Sequence, residues 1–148
     1  MKSLLEAEEN ASFVQRVENL RADSGPEWGK MNVAQMLAHC QKPFLVAAGE
    51  LKLKRALIGR LLGGWAKKKF VDGDAPFGHN GPTDPHFLVP GASDFEREKA
   101  QLIDLVRKFG EHGAQTRDPH PFFGPMTGED WDRLMWKHLD HHLRQFGV

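Results

Sequence analysis

The sequence predicts an all-helical domain, and two kinds of observation predict it. Four stretches place apolar residues three and four apart, the spacing that lines one face of a helix. Three of them open with a side chain able to cap a helix and an acceptor three residues on: Asn32 with Gln35, Ser93 with Glu96, and Thr127 with Asp130. A chain of 148 residues is one domain's worth and buries about two thirds of its unfolded surface around a single core.

The first helix is expected from about Ala7 to Ala22, with Phe13, Val14, Val17 and Leu20 on its inner face. Gly25-Pro26 forbids continuation, and Trp28 anchors the connection. The second helix starts at Asn32, with Val33, Met36, Leu37, Cys40 and Phe44 as its core face and His39 on the edge of that stripe. Pro43 removes the hydrogen bond owed to the carbonyl of residue 39, so this helix either kinks or stops beside the histidine. Next to Met36, Leu37 and Phe44, Cys40 reads as a small core residue rather than a ligand or reactive thiol. As the only cysteine it forms no internal disulfide.

Leu51 to Phe70 is basic and amphipathic, interrupted by Gly59, Gly63 and Gly64 and ending in Lys67, Lys68 and Lys69. A helix with its apolar face on the core and its lysines in solvent is preferred over a membrane-surface or nucleic-acid patch. The glycines follow no strand and end in no GK[ST], which excludes a phosphate loop. Val71 to Ala92, dense in Gly, Pro, Asp and Asn, is irregular and long enough to cover a site at one end of the domain. His79, Asp84 and His86 are then reserve ligands or acid-base groups, though turn formers and surface histidines are the commoner use of such residues. From Ser93 a third long helix carries Phe95, Leu102, Leu105, Val106 and Phe109 until Gly110 and Gly113 stop it. A Pro-rich turn follows, with Phe122 and Phe123 buried and His120 either a neighbour of a metal site or a turn residue.

The last helix runs from Thr127 toward Val148, and its inner line of Trp131, Leu134 and Met135 leads into His138, His141 and His142. His138 and His142, four apart, share a face and can reach one ion. Alternatively they form a solvated, capping cluster where a cation suits the negative end of a helix. His39 is the candidate third ligand. Three histidines make the donor count of an open metal site, and neutral imidazoles suit Zn, Ni, Fe or Cu. Gln35, Asp140, Asp132 and Glu129 are candidates for the outer shell.

WGKMNVAQMLAHCQ and HPFFGPMTGEDWDRLMWKHLDHHLRQFG resemble the DinB/YfiT-like metalloproteins, in particular the DUF1569 branch, a domain of unknown function. The resemblance implies an up-down-down-up four-helix bundle over residues 1–148, with the irregular middle as an insertion, and a homodimer. It implies one ligand on His39 and two on His138 and His142, with His141 as the non-ligating neighbour; Gln35 and His120, singled out from their own positions, and His141 are the candidate outer shell. It implies a divalent metal, for which Zn or Ni is expected, with Fe as the further option. The implied chemistry is a metal-dependent transferase or hydrolase reaction on a small electrophile, with a low-molecular-weight thiol as co-substrate. The competing reading is a non-catalytic helical binding or dimerisation module.

Twenty basic and twenty acidic side chains give a formal net charge of zero, so no global field gathers nucleic acid or an anionic membrane. Neither is expected as a partner. No run of eighteen apolar residues is present, and MKSLLEAEENASF is too acidic for a signal peptide. A cytoplasmic location is expected.

Overall fold

A computed structural model describes residues 2–148 except 74, 80, 82–86, 90 and 92. Five helices appear among them: α1 (Ala7–Asn19), α2 (Val33–Ala48), α3 (Leu57–Phe70), α4 (Phe95–His112) and α5 (Gly128–Gln145). No strand occurs among the described residues; a single antiparallel bridge joins His120 and Gly124. The all-helical expectation therefore holds. No helix among the described residues is long and apolar enough to cross a membrane.

α1 ends at Asn19, three residues before the expected boundary, because Leu20 turns to extended backbone while its side chain stays in the core. The Lys99 ammonium donates to the carbonyls of Glu18 and Leu20, 2.7 and 2.9 Å away, and so satisfies acceptors the helix leaves open. α2 has the full Asn32–Gln35 capping box. Pro43 does not stop it: the helix runs on to Ala48 and closes on Gly49 at φ 78°, a left-handed cap suited to glycine. α4 corrects the sequence reading in two places. Its cap is Asp94, whose carboxylate accepts from Arg97 N–H at 2.8 Å, one residue beyond Ser93; a carboxylate also suits the positive end of the helix. Gly110 lies inside α4 rather than ending it, because a Cβ there would collide with the amide of Asn10. That amide donates to Leu4 O and Val106 O at 3.0 and 2.8 Å and ties α1 to α4. α5 opens on the expected Thr127–Asp130 box.

α1 and α2 each pack against both α4 and α5. Phe13 and Val17, Met36 and Leu37, Leu102 and Val106, and Met135 and Leu139 meet between them, all essentially inaccessible to solvent. These four helices enclose the core, and their packing positions α2 and α5 side by side.

α3 overturns the expected orientation of its apolar face. Gly59, Gly63 and Ala66 are the buried side, whereas Leu57, Ile58, Leu61, Leu62 and Trp65 are exposed. The cause is a close backbone approach: a Cβ at Gly59 would stand 2.6 Å from Phe122 O, and one at Gly63 would overlap the same oxygen. Only the glycine side can lie on that turn, so the leucines point outward. Gly63→Ala is expected to push α3 off the turn and destabilise the protein by about 1–3 kcal/mol, the usual range for overpacking. The urea midpoint of the variant against wild type measures this.

Candidate metal centre

α2 presents His39 and α5 presents His138 and His142 to one point. His39 Nε2 lies 3.0 Å from His138 Nε2 and 3.1 Å from His142 Nε2. The three donor atoms all fall within 4.8 Å of one another, and no fourth His, Cys, Asp or Glu among the described residues joins them. Two imidazole nitrogens on one tetrahedral zinc sit ~3.3 Å apart, given Zn–N bonds of about 2.0–2.1 Å. The two spacings from His39 Nε2 are within a few tenths of an ångström of that.

Hydrogen bonding on the far side of two rings fixes which nitrogens carry protons. His39 Nδ1 is 2.8 Å from Phe87 O; a carbonyl only accepts, so Nδ1–H donates and Nε2 is bare. His142 Nδ1 is 2.8 Å from Gln145 Oε1. The amide of Gln145 is itself oriented, because its Nε2–H donates to Trp28 O at 2.6 Å. His142 therefore also donates from Nδ1 and leaves Nε2 bare. Two lone pairs face each other at 3.1 Å.

A proton between them would relieve the repulsion, but the surroundings oppose it. Burial, foremost, and neighbouring imidazoles lower His142 to a pKa of about 3. Burial also lowers His39, against the pull of its bond to Phe87. His138, which keeps a partly exposed edge, is pushed well below its ordinary value by burial and then by His142 and His39. A divalent cation satisfies what a proton cannot, and the outer hydrogen bonds are those that orient metal-ligating histidines. The donor set fits a metal ion.

None of the other described candidates joins the three donor atoms. His141 borders the triad, its ring 5.0 Å from that of His142, and also meets an aromatic group, 5.6 Å from the Trp28 ring and 6.0 Å from Phe77. His79 stacks on Trp28 at 3.8 Å, and Asp84 and His86 fall outside the described residues. His120 Nδ1 accepts from the N–H groups of Phe122 and Phe123 at 3.1 Å and its ring rests near Trp131; it organises the turn. Asp140 pairs with Arg16 and Arg144, Asp132 accepts from Leu4 N–H at 2.8 Å, and Glu129 pairs with Arg133. These contacts take the three carboxylates out of the outer shell. Cys40 is wholly buried and its thiol is pushed up by desolvation, with Met36 Sδ at 3.6 Å; it is a core residue.

Gln35 reaches the site only through the backbone. Besides its capping bonds, its amide donates to Val89 O and Gly91 O at 3.3 and 3.2 Å, and Lys42 donates to Leu88 O at 2.9 Å. Residues 35, 39 and 42 share one face of α2, and together they hold the strand of chain whose Phe87 carbonyl orients His39. Gln145, Phe87 and Trp28 are the contributors that sequence reading did not identify. Gln145 had a signal, since it stands one turn after His142. The two carbonyls had none.

No curated protein and no solved structure matches this chain. A family profile described as a protein of unknown function, DUF1569, matches residues 2–147. With nearly its whole length covered, the chain belongs to the DUF1569 family.

Proposed function

We propose that this protein binds one divalent metal ion through His39, His138 and His142, as a DinB-like four-helix bundle. α1, α2, α4 and α5 make the bundle in up-down-down-up order, and residues 51–92 are its insertion. Zn or Ni is the proposed ion, with Fe as the alternative. One observation carries this reading: two imidazole nitrogens stripped of protons by fixed Nδ1–H bonds face each other at 3.1 Å in a buried site.

Three protein donors leave at least one position of such an ion open, where it supplies Lewis acidity and lowers the pKa of a bound thiol or water. On this chain His138 is the least buried of the three ligands, and the Phe87 carbonyl holds His39 from the far side of its ring. We infer that the site would serve a transferase reaction, in which a small thiol gives up its proton and adds to an electrophile, or a hydrolase reaction in which water takes the place of the thiol. The test is elemental analysis and calorimetric titration of untagged protein with Zn and Ni, where a ratio of about one ion per chain is expected from the ligand count. A ratio near zero that added metal does not raise overturns the reading and leaves a helical binding module.

Gln145→Leu keeps the volume of the side chain but removes the acceptor for His142 Nδ1–H. It is expected to weaken metal affinity about 10–100-fold, as loss of an outer-shell partner does. Competition against a chelator of known affinity measures the change.

A further inference from the structure

We propose that α3 is an interfacial helix that lays its outward leucines and Trp65 into an anionic lipid surface. Leu61 is 85% exposed, Leu57 77% and Trp65 63%, an apolar arc far more open than a soluble protein ordinarily leaves on one helix. The arc is held outward. Ala56 N–H donates to Pro121 O at 3.0 Å at one end. At the other, Lys137 donates to the carbonyls of Phe70 and Gly73 at 2.7 Å and Lys67 pairs with Asp130 at 2.9 Å. Gly59 and Gly63 lock the opposite side onto the Phe122 backbone.

Charge selects the occupant. Residues 51–71 carry seven Lys and Arg and no Asp or Glu, in a chain whose total is neutral. Lys68 and Lys69 continue the outward arc, and Arg60 flanks it, in the manner of cations that sit at headgroup level while apolar neighbours enter the acyl boundary. A second copy docked face to face would set Arg60, Lys68 and Lys69 against the same three cations. Nucleic acid would leave the leucines against phosphates. With 14 residues and its cations at the end, α3 lies along a bilayer rather than across it. From sequence, a membrane-surface patch came second because the apolar side was expected to face the core. The proposal is independent of the metal site.

Sedimentation with vesicles of phosphatidylcholine plus phosphatidylglycerol, against phosphatidylcholine alone, tests it. Wild type is expected to partition onto the anionic vesicles with a blue-shifted Trp65 emission that Trp65→Phe removes. Lys68→Gln with Lys69→Gln is expected to lower partitioning about 25-fold, at roughly fivefold per cation near an anionic surface. Leu61→Glu is expected to lower it by about tenfold or more. All four positions are solvent-facing, and unchanged circular dichroism confirms that each variant is folded. The proposal is overturned by absence of partitioning, by a dimer in sedimentation equilibrium that Leu61→Glu dissociates, or by RNA binding that needs the lysines while Leu61→Glu still binds vesicles normally.

Discussion

His138→Ala is expected to leave a folded protein without stoichiometric metal. The side chain contributes one of three nitrogens and sits at the partly exposed edge of the site, so its loss removes a ligand without opening the core that Met135 and Leu139 fill. Two imidazoles remain, held by Phe87 and Gln145, and two neutral donors retain a divalent ion far less well than three. The thermal consequence is large. A ligand present at a thousand times its dissociation constant stabilises the native state by about 4 kcal/mol, and in a domain of this size each kcal/mol moves the melting temperature by about 2–4 °C. Added Zn is thus expected to raise the wild-type transition by about 8–16 °C and to leave that of His138→Ala nearly unmoved. His141→Ala is the control: that ring packs toward Trp28 and Phe77, so the variant should keep both metal and shift. Scanning calorimetry with and without Zn, beside elemental analysis, decides it. Metal retained by His138→Ala, or lost by His141→Ala, would sink the ligand assignment.

What could be read from the sequence is what local chemistry determines. The Asn32–Gln35 and Thr127–Asp130 boxes both form, because capping involves atoms three residues apart and needs no knowledge of the fold. His39, His138 and His142 stood out by their place on apolar stripes that converge, while His141, on the same line of α5, was set aside by the four-residue spacing of the pair and by the family resemblance. What escaped depends on contacts between distant backbones. α3 looked amphipathic in the ordinary sense, yet its inner face is set by two glycines against the Phe122 carbonyl, and no periodicity of large residues reports a backbone approach. Gln35 was expected beside the metal and instead holds the chain at Val89 and Gly91. Its partners are carbonyls whose register a loop does not reveal. Asp132 and Asp140 failed for the opposite reason: being close to His138 and His142 in sequence, they point to other sides of α5, toward Leu4 and Arg16.

The second large effect is acid sensitivity of the metal-free protein. In the unfolded chain each histidine titrates near its ordinary value of about 6.5. Folded, His142 does so at about 3, and His39 and His138 also stay neutral to lower pH because burial disfavours their charged forms. Between those values the unfolded state binds more protons than the native one, so stability falls as pH falls, by up to about 1.4 kcal/mol per pH unit for each such histidine. Above about pH 7 both states are neutral at these positions and the contribution is flat. Asp130, held below the usual carboxylate range chiefly by its Thr127 and Lys67 bonds against the opposing effect of burial, adds a loss only in more acidic solution, below about pH 4.5. The interval from about pH 6.5 down to 5 therefore belongs to the histidines. Urea unfolding of chelator-treated protein across that interval should show a steep decline, and His142→Ala should shed about one proton's worth of slope. Zn loading should make the decline steeper still, since the ion needs the same bare nitrogens that acid would protonate. A flat profile in wild type, or an unaltered slope in His142→Ala, would mean that the facing lone pairs are relieved by rearrangement of the rings, and that Phe87 and Gln145 do not hold them in place.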